Sequence, residues 1–346
     1  MFDLVRPLIF KFSPEVAHSL AIKSLKLNKI SLKIPDEIEK LEINLFGKKI
    51  LNPIGVAAGF DKNAEVYNPL FNLGFGFVEV GTITPKPQYG NPKPRVFRLE
   101  EDEALINRLG FNNDGAEKIS LRIKNNNPKK FLGVNIGPNK DTNNRIDDYI
   151  NCFKNFYNLA DYITINISSP NTENLRNFHN QDELEQLLKS IQKEKKELNT
   201  KVPLAVKISP DITENQIEII SEKLLNNNIE IAIISNTSDQ NRGELKNINK
   251  LEKGGLSGKP IEIRSNELIK KFYKLIGKKI KIFGVGGAST AEGVFEKIIS
   301  GATLVQLYTG MVYQGPKIAL KISNDLIDIV KRKGFKNISE AIGTKN

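Results

Sequence analysis

Short apolar runs alternate with helical segments from residue 52 to the end of the chain. Eight runs have the length and composition of buried strands, at residues 52–59, 76–82, 131–137, 162–168, 203–209, 231–237, 280–287 and 302–310. Helical stretches such as 183–198 and 214–225 separate several of them. This alternation over about 260 residues predicts an α/β protein built as a (β/α)8 TIM barrel. An open doubly wound sheet is less consistent with the sequence, because the first run ends in GVAAGFDK and not in a G-x-G-x-x-G turn.

The N-terminal segment has a different pattern. Apolar residues interleave with Arg6 and Lys11, as in a short amphipathic helix, and SPE at residues 13–15 combines a capping residue, a proline and an acidic residue. We therefore expect a helical segment over residues 1–34, followed by the barrel domain at 35–346. The helices either pack on the barrel as an ordinary extension or present an apolar, basic-rimmed face to a membrane.

Composition excludes several classes of protein. No apolar stretch in the 346 residues reaches the roughly 18 that a membrane-spanning helix needs. Cys152 is the only cysteine, which excludes an internal disulfide, a cysteine-built zinc site and an iron–sulfur cluster, and His18 and His179 are the only histidines. The net charge of +11 is dispersed along the chain without a nucleic-acid-binding motif, so we expect an anionic substrate or an anionic membrane surface as partner, and no nucleic acid.

Polar or glycine-rich groups follow all eight predicted strands. They are Asp61 and Lys62, Thr82, Asn135, Asn166 with Ser169 and Asn171, Lys207, Ser235 with Asn236 and Thr237, Gly286-Gly287, and Tyr308-Thr309-Gly310. The carboxyl ends of barrel strands meet at one mouth, where active sites lie. Within ITINISSPNT, at residues 163–172, Asn166 and Ser168 either satisfy nearby backbone groups or serve such a site.

Lys207 and the last two strand ends indicate which kind of ligand the site binds. Lys207 interrupts the apolar run AVKIS, and a buried ammonium needs either a bound anion or a structural ion pair. GVGGAST before a helix, followed by LYTG after the next strand, matches the phosphate site that barrels build after strands 7 and 8. The phosphate could belong to a phosphosugar, flavin mononucleotide (FMN) or pyridoxal phosphate.

Several long motifs resemble those of dihydroorotate dehydrogenase, specifically the membrane-associated, quinone-using class 2. The strings are GVAAGFDKNAE, VEVGTITPKPQYGNPKPRVFRL, INRLGFNNDG, GVNIGPNKDT, INISSPNT, AVKISPD, SNT, GGLSG, GVGG and QLYTG. They occur in order along nearly the whole chain. The resemblance implies FMN-dependent oxidation of (S)-dihydroorotate to orotate, with ubiquinone or menaquinone as electron acceptor, in pyrimidine (UMP) biosynthesis.

The resemblance also implies the residues of the site. FMN would be bound by Ala58, Gly59, Phe60, Asp61, Lys62, Thr82, Asn135, Asn166, Lys207, Ser235, Gly258, Gly287, Tyr308 and Thr309. The substrate would be bound by Lys62, Asn107, Arg108, Leu109, Gly110, Phe111, Asn166, Asn171, Asn236 and Thr237. These residue types suit an anionic ring with amide edges, because Lys62 can pair with a carboxylate and the asparagines can both donate and accept hydrogen bonds.

Ser169 takes the position of the catalytic base, where class 1 enzymes carry a cysteine. It would remove a proton from substrate C5 while a hydride passes from C6 to flavin N5, and Lys207 would stabilise the anionic reduced flavin. A serine hydroxyl is a weak base without a proton acceptor. The family implies a relay through Thr172 and a water near Phe111.

Ser169 and the extra helices of residues 1–34 both indicate class 2, in which such helices form a hydrophobic entry for quinone. Without a transit-like leader or a membrane anchor in the sequence, we expect a peripheral protein at the cytoplasmic face of the bacterial inner membrane. One alternative is a phosphosugar aldolase or isomerase with a Schiff base on Lys62 or Lys207, which leaves Asn107, Asn171 and Asn236 unexplained. Another is a non-catalytic barrel that binds a lipid surface or a partner.

Overall fold

The structure is a computed structural model that describes residues 2–27, 31–240 and 242–346. Within these ranges the strands are β1 (Ile43–Leu45), β2 (Lys48–Ile50), β3 (Ile54–Val56), β4 (Phe77–Ile83), β5 (Val96–Leu99), β6 (Ala104–Asn107), β7 (Phe131–Ile136), β8 (Tyr162–Asn166), β9 (Leu204–Ile208), β10 (Ile231–Ile234), β11 (Gly255–Gly258), β12 (Lys281–Val285) and β13 (Leu304–Leu307). The α-helices are α1 (Phe2–Phe10), α2 (Pro14–Leu27), α3 (Tyr67–Asn72), α4 (Ala116–Asn125), α5 (Arg145–Phe156), α6 (Gln181–Glu197), α7 (Glu214–Asn226), α8 (Glu262–Ile276), α9 (Ala291–Ile299), α10 (Thr309–Gln314) and α11 (Ile318–Arg332).

Eight strands close into a parallel barrel in the order β3, β4, β7, β8, β9, β10, β12, β13. A helix lies between each consecutive pair, so the predicted (β/α)8 barrel is confirmed, and each predicted apolar run overlaps one barrel strand. Every position of β4, β7, β8 and β9 is buried, as expected for parallel strands covered by helices. This burial explains why the runs are continuously apolar and do not alternate.

Aromatic rings fill the end of the barrel away from the polar strand ends. The Tyr162 ring lies 5.4 Å from Phe283 in an edge-on arrangement and 5.4 Å from Phe131 in a stacked one. A side chain on Gly133 would place its Cβ 2.1 Å from the Tyr162 ring, so the glycine gives the ring its space. The barrel interior is therefore a packed core and not a channel.

An antiparallel sheet of β5, β6 and β11 lies outside the barrel. Its strands come from two separate loops, and Gly255 and Gly258 of β11 pair with Asn107 and Ala104 of β6. The sequence did not predict this sheet, because Gly-Leu-Ser-Gly has low β-propensity and forms a strand only by pairing with β6. The sheet brings Asn107 to the mouth of the barrel.

The predicted N-terminal helices are present as α1 and α2, and α2 begins at Pro14. Residues 31–34 of the predicted segment are not helical, and residues 1 and 28–30 lie outside the described residues. The two helices and the turn between them pack against β5 and the residue before it. Glu15 forms an ion pair with the buried Arg95 at 3.0 Å, and Arg98 of β5 donates to the carbonyls of Phe10 (3.1 Å) and Phe12 (2.9 Å). No helix in the described ranges is both long and apolar enough to cross a membrane.

Candidate active site

A deep cleft opens at the carboxyl ends of the barrel strands. It contains ≈ 1330 Å³ of space free of protein atoms, counting its open mouth, and its walls come from strand ends of the barrel and from the β5–β6–β11 sheet. The cleft thus lies at the end of the barrel where the active sites of such folds are found.

Most of the predicted site residues line this one cleft. They are Ala58, Gly59, Lys62, Thr82, Asn107, Leu109, Gly110, Phe111, Asn166, Ser169, Asn171, Lys207, Ser235, Asn236, Thr237, Gly258, Gly287, Tyr308 and Thr309. Residues as distant in the chain as Ala58 and Thr309 are thus brought to one surface, as strand ends of a barrel require.

Phe60, Asp61, Arg108 and Asn135 lie behind or beside the lining. Asp61 accepts hydrogen bonds from the backbone N–H groups of Glu65 (2.7 Å) and Val66 (2.8 Å), and burial raises the pKa of its carboxyl to about 6. Its carboxylate therefore shapes the loop that carries Lys62. Phe60 stands edge-on to the Tyr308 ring at 5.9 Å and supports it from behind.

Arg108 and Asn135 are also engaged by protein groups. Arg108 forms an ion pair with Glu252 at 2.6 Å and stacks on the Phe97 ring at 4.5 Å. Asn135 is fully buried beneath Thr82, whose hydroxyl donates to its Oδ1 at 2.7 Å. Asn135 can therefore act on a ligand only through Thr82.

Two lysines give the cleft its positive charge. Lys207 is 4% exposed, and burial lowers its pKa against the opposing effect of Glu79. Burial also lowers the pKa of Lys62 to about 8, against the opposing effect of Glu15. Neither ammonium forms an ion pair with any residue that the structure describes. A bound anion or ligand carbonyl would satisfy both groups.

Ser169 lies on the loop after β8 and is 5% exposed. Its Oγ accepts a hydrogen bond from the Asn171 backbone N–H at 3.2 Å, so the hydroxyl proton remains free to point elsewhere. Arg176 holds the same loop, because it donates to the Ser168 carbonyl at 3.3 Å and pairs with Asp211 at 3.1 Å. The loop is therefore fixed on both sides of Ser169.

His179 provides a further anchor for that loop. Its Nδ1 bonds the Arg176 carbonyl at 2.9 Å, and its Nε2 accepts from the Ser209 N–H at 3.2 Å. These contacts require a neutral ring that carries its proton on Nδ1, in agreement with burial lowering the pKa of His179 to about 4. Both ring nitrogens are engaged by the backbone, so His179 is structural and does not serve Ser169 as a base.

Amide groups converge on the same part of the cleft. Asn171 Nδ2 donates to the Asn107 carbonyl at 3.0 Å, which joins the loop after β8 to the outer sheet. Asn166 Nδ2 donates to Thr82 Oγ1 at 2.9 Å, and Asn236 Nδ2 donates to Ser168 Oγ at 2.8 Å. The amides are held in place by these bonds and leave their remaining donors and acceptors for a ligand.

Glycines form the other end of the cleft. A Cβ on Gly258 would lie 2.3 Å from the Glu103 carbonyl oxygen, and a Cβ on Gly287 would lie 2.3 Å from Glu262 Cβ. Both glycines have positive φ, at +99° and +78°. Only glycine fits at these two positions, and both line the cleft, where a phosphate site of this kind uses glycine backbone.

Sequence reasoning missed several polar groups near the site. Gln306 lines the cleft, Ser257 bonds Thr309 through their hydroxyls at 2.8 Å, and Glu79 is fully buried beneath the cleft. Glu79 and Gln306 could have been recognised in the sequence, since each interrupts an apolar run just as Lys207 does. Ser257 could not, because β11 was not predicted. No group of His, Cys, Asp and Glu residues in the described part of the chain could hold a metal ion.

Comparisons with known proteins agree with this geometry. The family model described as dihydroorotate dehydrogenase matches residues 40–330. A Bartonella tribocorum protein named dihydroorotate dehydrogenase (quinone) is 46% identical over 97% of this chain and 94% of its own length. A relative of the same name from Acinetobacter baylyi is 42% identical over 92% of this chain and 97% of its own.

The fold has close counterparts among solved structures. The crystal structure of DHODH from Eimeria tenella in complex with ferulenol superposes with a TM-score of 0.91 at 37% identity, covering 96% of this chain and 95% of that one. The ligand-free form from the same organism gives a TM-score of 0.91 and covers 99% of its own chain. The motifs, the barrel and these similarities show that the chain belongs to the dihydroorotate dehydrogenase family.

Proposed function

We propose that this chain oxidises (S)-dihydroorotate to orotate in pyrimidine biosynthesis, with FMN as its flavin and a membrane quinone as electron acceptor. The observation that carries the proposal is a single cleft that combines Ser169, two lysines without ion-pair partners among the described residues, an amide-rich wall and a glycine-lined end. Family membership and relatives named as quinone enzymes support the activity. They also oppose the aldolase and the non-catalytic alternatives.

The residues present fit FMN. Gly258, Gly287, Tyr308 and Thr309 would hold the phosphate at the glycine-lined end, and Lys207 would face the polar edge of the ring. The unpartnered amide oxygen of Gln306 offers an acceptor to a ring N–H. When bound, the flavin accepts the two electrons that leave the substrate.

The substrate residues act through charge and hydrogen bonding. Lys62 pairs with the substrate carboxylate, while Asn107, Asn171 and Asn236 bind the amide edges of the ring and fix its orientation. The amides supply both donors and acceptors, which excludes rings of different polarity.

Ser169 acts as the base that removes the C5 proton. Its oxygen accepts only the Asn171 N–H, so a lone pair is available for that proton. The hydroxyl proton must then leave through an acceptor, and water at the mouth of the cleft is the simplest one. Phe111 lines the cleft, but the Thr172 hydroxyl forms no hydrogen bond with any described residue, so the Thr172 relay stays a prediction.

Quinone and the membrane would meet the protein at the N-terminal helices. On α1, Leu4 is 81% exposed and Leu8 is 59% exposed, and Arg6 lies on the same helix. Arg6 donates to the Tyr313 carbonyl at 3.1 Å, and Tyr313 lines the cleft, so α1 lies against its wall. An apolar helix in this place would dock on a lipid surface and guide quinone toward the cleft, at the cytoplasmic face of the bacterial inner membrane.

Two measurements test the proposal. Flavin released from the purified protein by heat should be FMN and not FAD, as identified by chromatography. Dihydroorotate oxidation should proceed with ubiquinone or menaquinone analogues and much more slowly with fumarate or NAD⁺. Faster turnover with fumarate would contradict the assignment to class 2 and leave the flavin site in place.

A further inference from the structure

Glu79 is a fully buried carboxylate inside the barrel that does not line the cleft. Its Oε1 accepts a hydrogen bond from Asn135 Nδ2 at 2.8 Å. Its Oε2 accepts three, from Tyr162 Oη (2.9 Å), Thr164 Oγ1 (3.1 Å) and Gln306 Nε2 (2.8 Å). The two oxygens of Glu79 accept all four hydrogen bonds, so each of the four neighbours presents a donor to this side chain.

This requirement sets the direction of a hydrogen-bond chain toward the cleft. Asn135 turns its Nδ2 to Glu79, and its Oδ1 therefore faces Thr82, whose hydroxyl donates at 2.7 Å. The Thr82 oxygen then accepts from Asn166 Nδ2 at 2.9 Å. Each group in the chain has one orientation only, because a reversed amide would place two donors or two acceptors face to face.

The far end of the chain is fixed by backbone donors. Asn166 Oδ1 accepts from the Ser168 N–H at 3.2 Å and from the Ser168 hydroxyl at 2.8 Å. Asn236 Oδ1 accepts from the Thr237 N–H at 2.8 Å, while its Nδ2 donates to Ser168 Oγ at 2.8 Å. This hydrogen-bond chain thus has a fixed direction at both ends. Near Ser169 it begins at backbone N–H groups, which can only donate, and at Glu79 it ends on oxygens that accept.

A shorter branch reaches the cleft through Gln306. Its Nε2 is committed to Glu79, which leaves Oε1 buried and without a partner among the described residues. A buried amide oxygen without a donor is unfavourable, and Gln306 lines the cleft, so a ligand N–H group that approached this oxygen would remove that cost. Because Glu79 binds the Nε2 group of Gln306, the group that Gln306 can present toward the cleft is its amide oxygen, which is an acceptor.

We propose that Glu79 is a positioning residue that fixes the donor and acceptor pattern of the cleft through these two branches. It does not line the cleft, and it acts through Asn135, Thr82 and Asn166 on one side and through Gln306 on the other. The inference rests on the proposed function, since the pattern matters for rings that carry N–H and C=O edges.

Substitutions that exchange a carboxylate oxygen for an amide NH₂ group, or the reverse, can test the proposal. Glu79→Gln keeps the volume but adds an NH₂ group that must face either Asn135 or Gln306, so one of these amides has to reverse. The double variant Glu79→Gln/Asn135→Asp moves the carboxylate one step along the chain. In the double variant the new amide at position 79 donates to the new carboxylate at position 135, and every other hydrogen bond keeps its direction. Thr164→Val is the matched control, because it removes one bond to Glu79 without changing any direction.

The experiment measures the dissociation constant of orotate for each FMN-loaded variant by the change in flavin absorbance, together with the midpoint of thermal unfolding. Glu79→Gln should weaken orotate binding by about tenfold or more, as expected for a misdirected buried hydrogen bond. The double variant should return to within about threefold of wild type, and Thr164→Val should stay within that range even if its unfolding temperature falls.

Unchanged affinity in Glu79→Gln would overturn the inference, and so would a double variant that binds as weakly as the single one. If Glu79→Gln does not fold, the double variant decides alone: orotate binding near the wild-type value supports the proposal, and its loss refutes it. Wild-type protein that holds FMN but does not bind orotate would contradict the proposed function instead, and the FMN dissociation constants of the same variants would then test the hydrogen-bond chain.

Discussion

Lys62 and Lys207 show at the scale of single residues what the cleft is suited to bind. Burial lowers the pKa of both ammonium groups, and no described residue forms an ion pair with either one. An anion that entered the cleft would recover the interaction that the protein itself does not supply. The two lysines thus favour an anionic substrate and a ring system that carries negative charge when reduced.

Substrate affinity should fall as the pH rises through the pKa of Lys62, which burial lowers to about 8. Below that pH the ammonium pairs with the substrate carboxylate, and above it the neutral amine cannot. We expect kcat/KM for dihydroorotate to fall about tenfold per pH unit on the alkaline side. Lys62→Arg should shift this limb out of the accessible range, because guanidinium stays charged. An unchanged limb in Lys62→Arg would mean that another group titrates.

Removal of the Ser169 hydroxyl should slow the chemical step and leave binding intact. Ser169→Ala should keep FMN and orotate affinity and reduce the rate of flavin reduction by dihydroorotate by about 10²–10⁴-fold, the usual contribution of general base catalysis. Anaerobic stopped-flow absorbance measures this rate. Ser169→Cys retains a group that can accept a proton and should recover part of the rate. Full activity in Ser169→Ala would remove the residue from this role.

The position of Lys207 in the site could be predicted from the sequence, because a charged residue in an otherwise apolar strand requires a bound anion or an ion-pair partner. The same reasoning applies to Glu79 and Gln306, which were overlooked because their partners Tyr162, Thr164 and Asn135 come from other strands. Pairing between strands is not visible in a single sequence. The positions of polar residues were therefore predictable, but the hydrogen bonds that connect them were not.

At the scale of elements, the barrel strands were predictable because burial on both faces makes them continuously apolar. The strand β11 was not, since its conformation comes from hydrogen bonds to β6 that join residues 255–258 to 104–107. The residue Ser257 was missed for the same reason. Long-range pairing thus created the one wall of the cleft that local pattern could not indicate.

The helix α1 provides an element-scale prediction. Leu4 and Leu8 are one turn apart and exposed, so their burial in lipid would contribute about 3 kcal/mol or more of transfer free energy. Leu4→Glu/Leu8→Glu should weaken binding to anionic vesicles by about 100-fold and slow reoxidation by vesicle-bound quinone. Flavin reduction by dihydroorotate should be unchanged, because neither leucine lines the cleft.

The control for this prediction is Leu121→Glu/Leu275→Glu, which places the same two charges on exposed leucines of α4 and α8, outside the N-terminal helices. This variant should bind vesicles like the wild type. Equal vesicle binding by all three proteins would show that α1 serves packing on the barrel and not a membrane.

At the scale of the whole molecule, the residues that pack the barrel core and the residues that form the cleft lie at opposite ends of the barrel. The aromatic core of Phe77, Tyr162 and Phe283 fills one end, and the polar strand ends meet at the other. Loops and the outer sheet can therefore carry Ser169, the amides and the glycines without disturbing the packed core. The helix α1 lies against the wall of the same cleft, because Arg6 donates to the carbonyl of the cleft residue Tyr313.

The most direct test of this account is the visible absorption spectrum of the purified protein, recorded anaerobically before and after dihydroorotate is added and again after a quinone is added. We predict a flavin spectrum that bleaches with dihydroorotate and returns with quinone. Protein that shows no flavin absorbance, even after FMN is supplied, would contradict the account, as would bound flavin that dihydroorotate does not reduce.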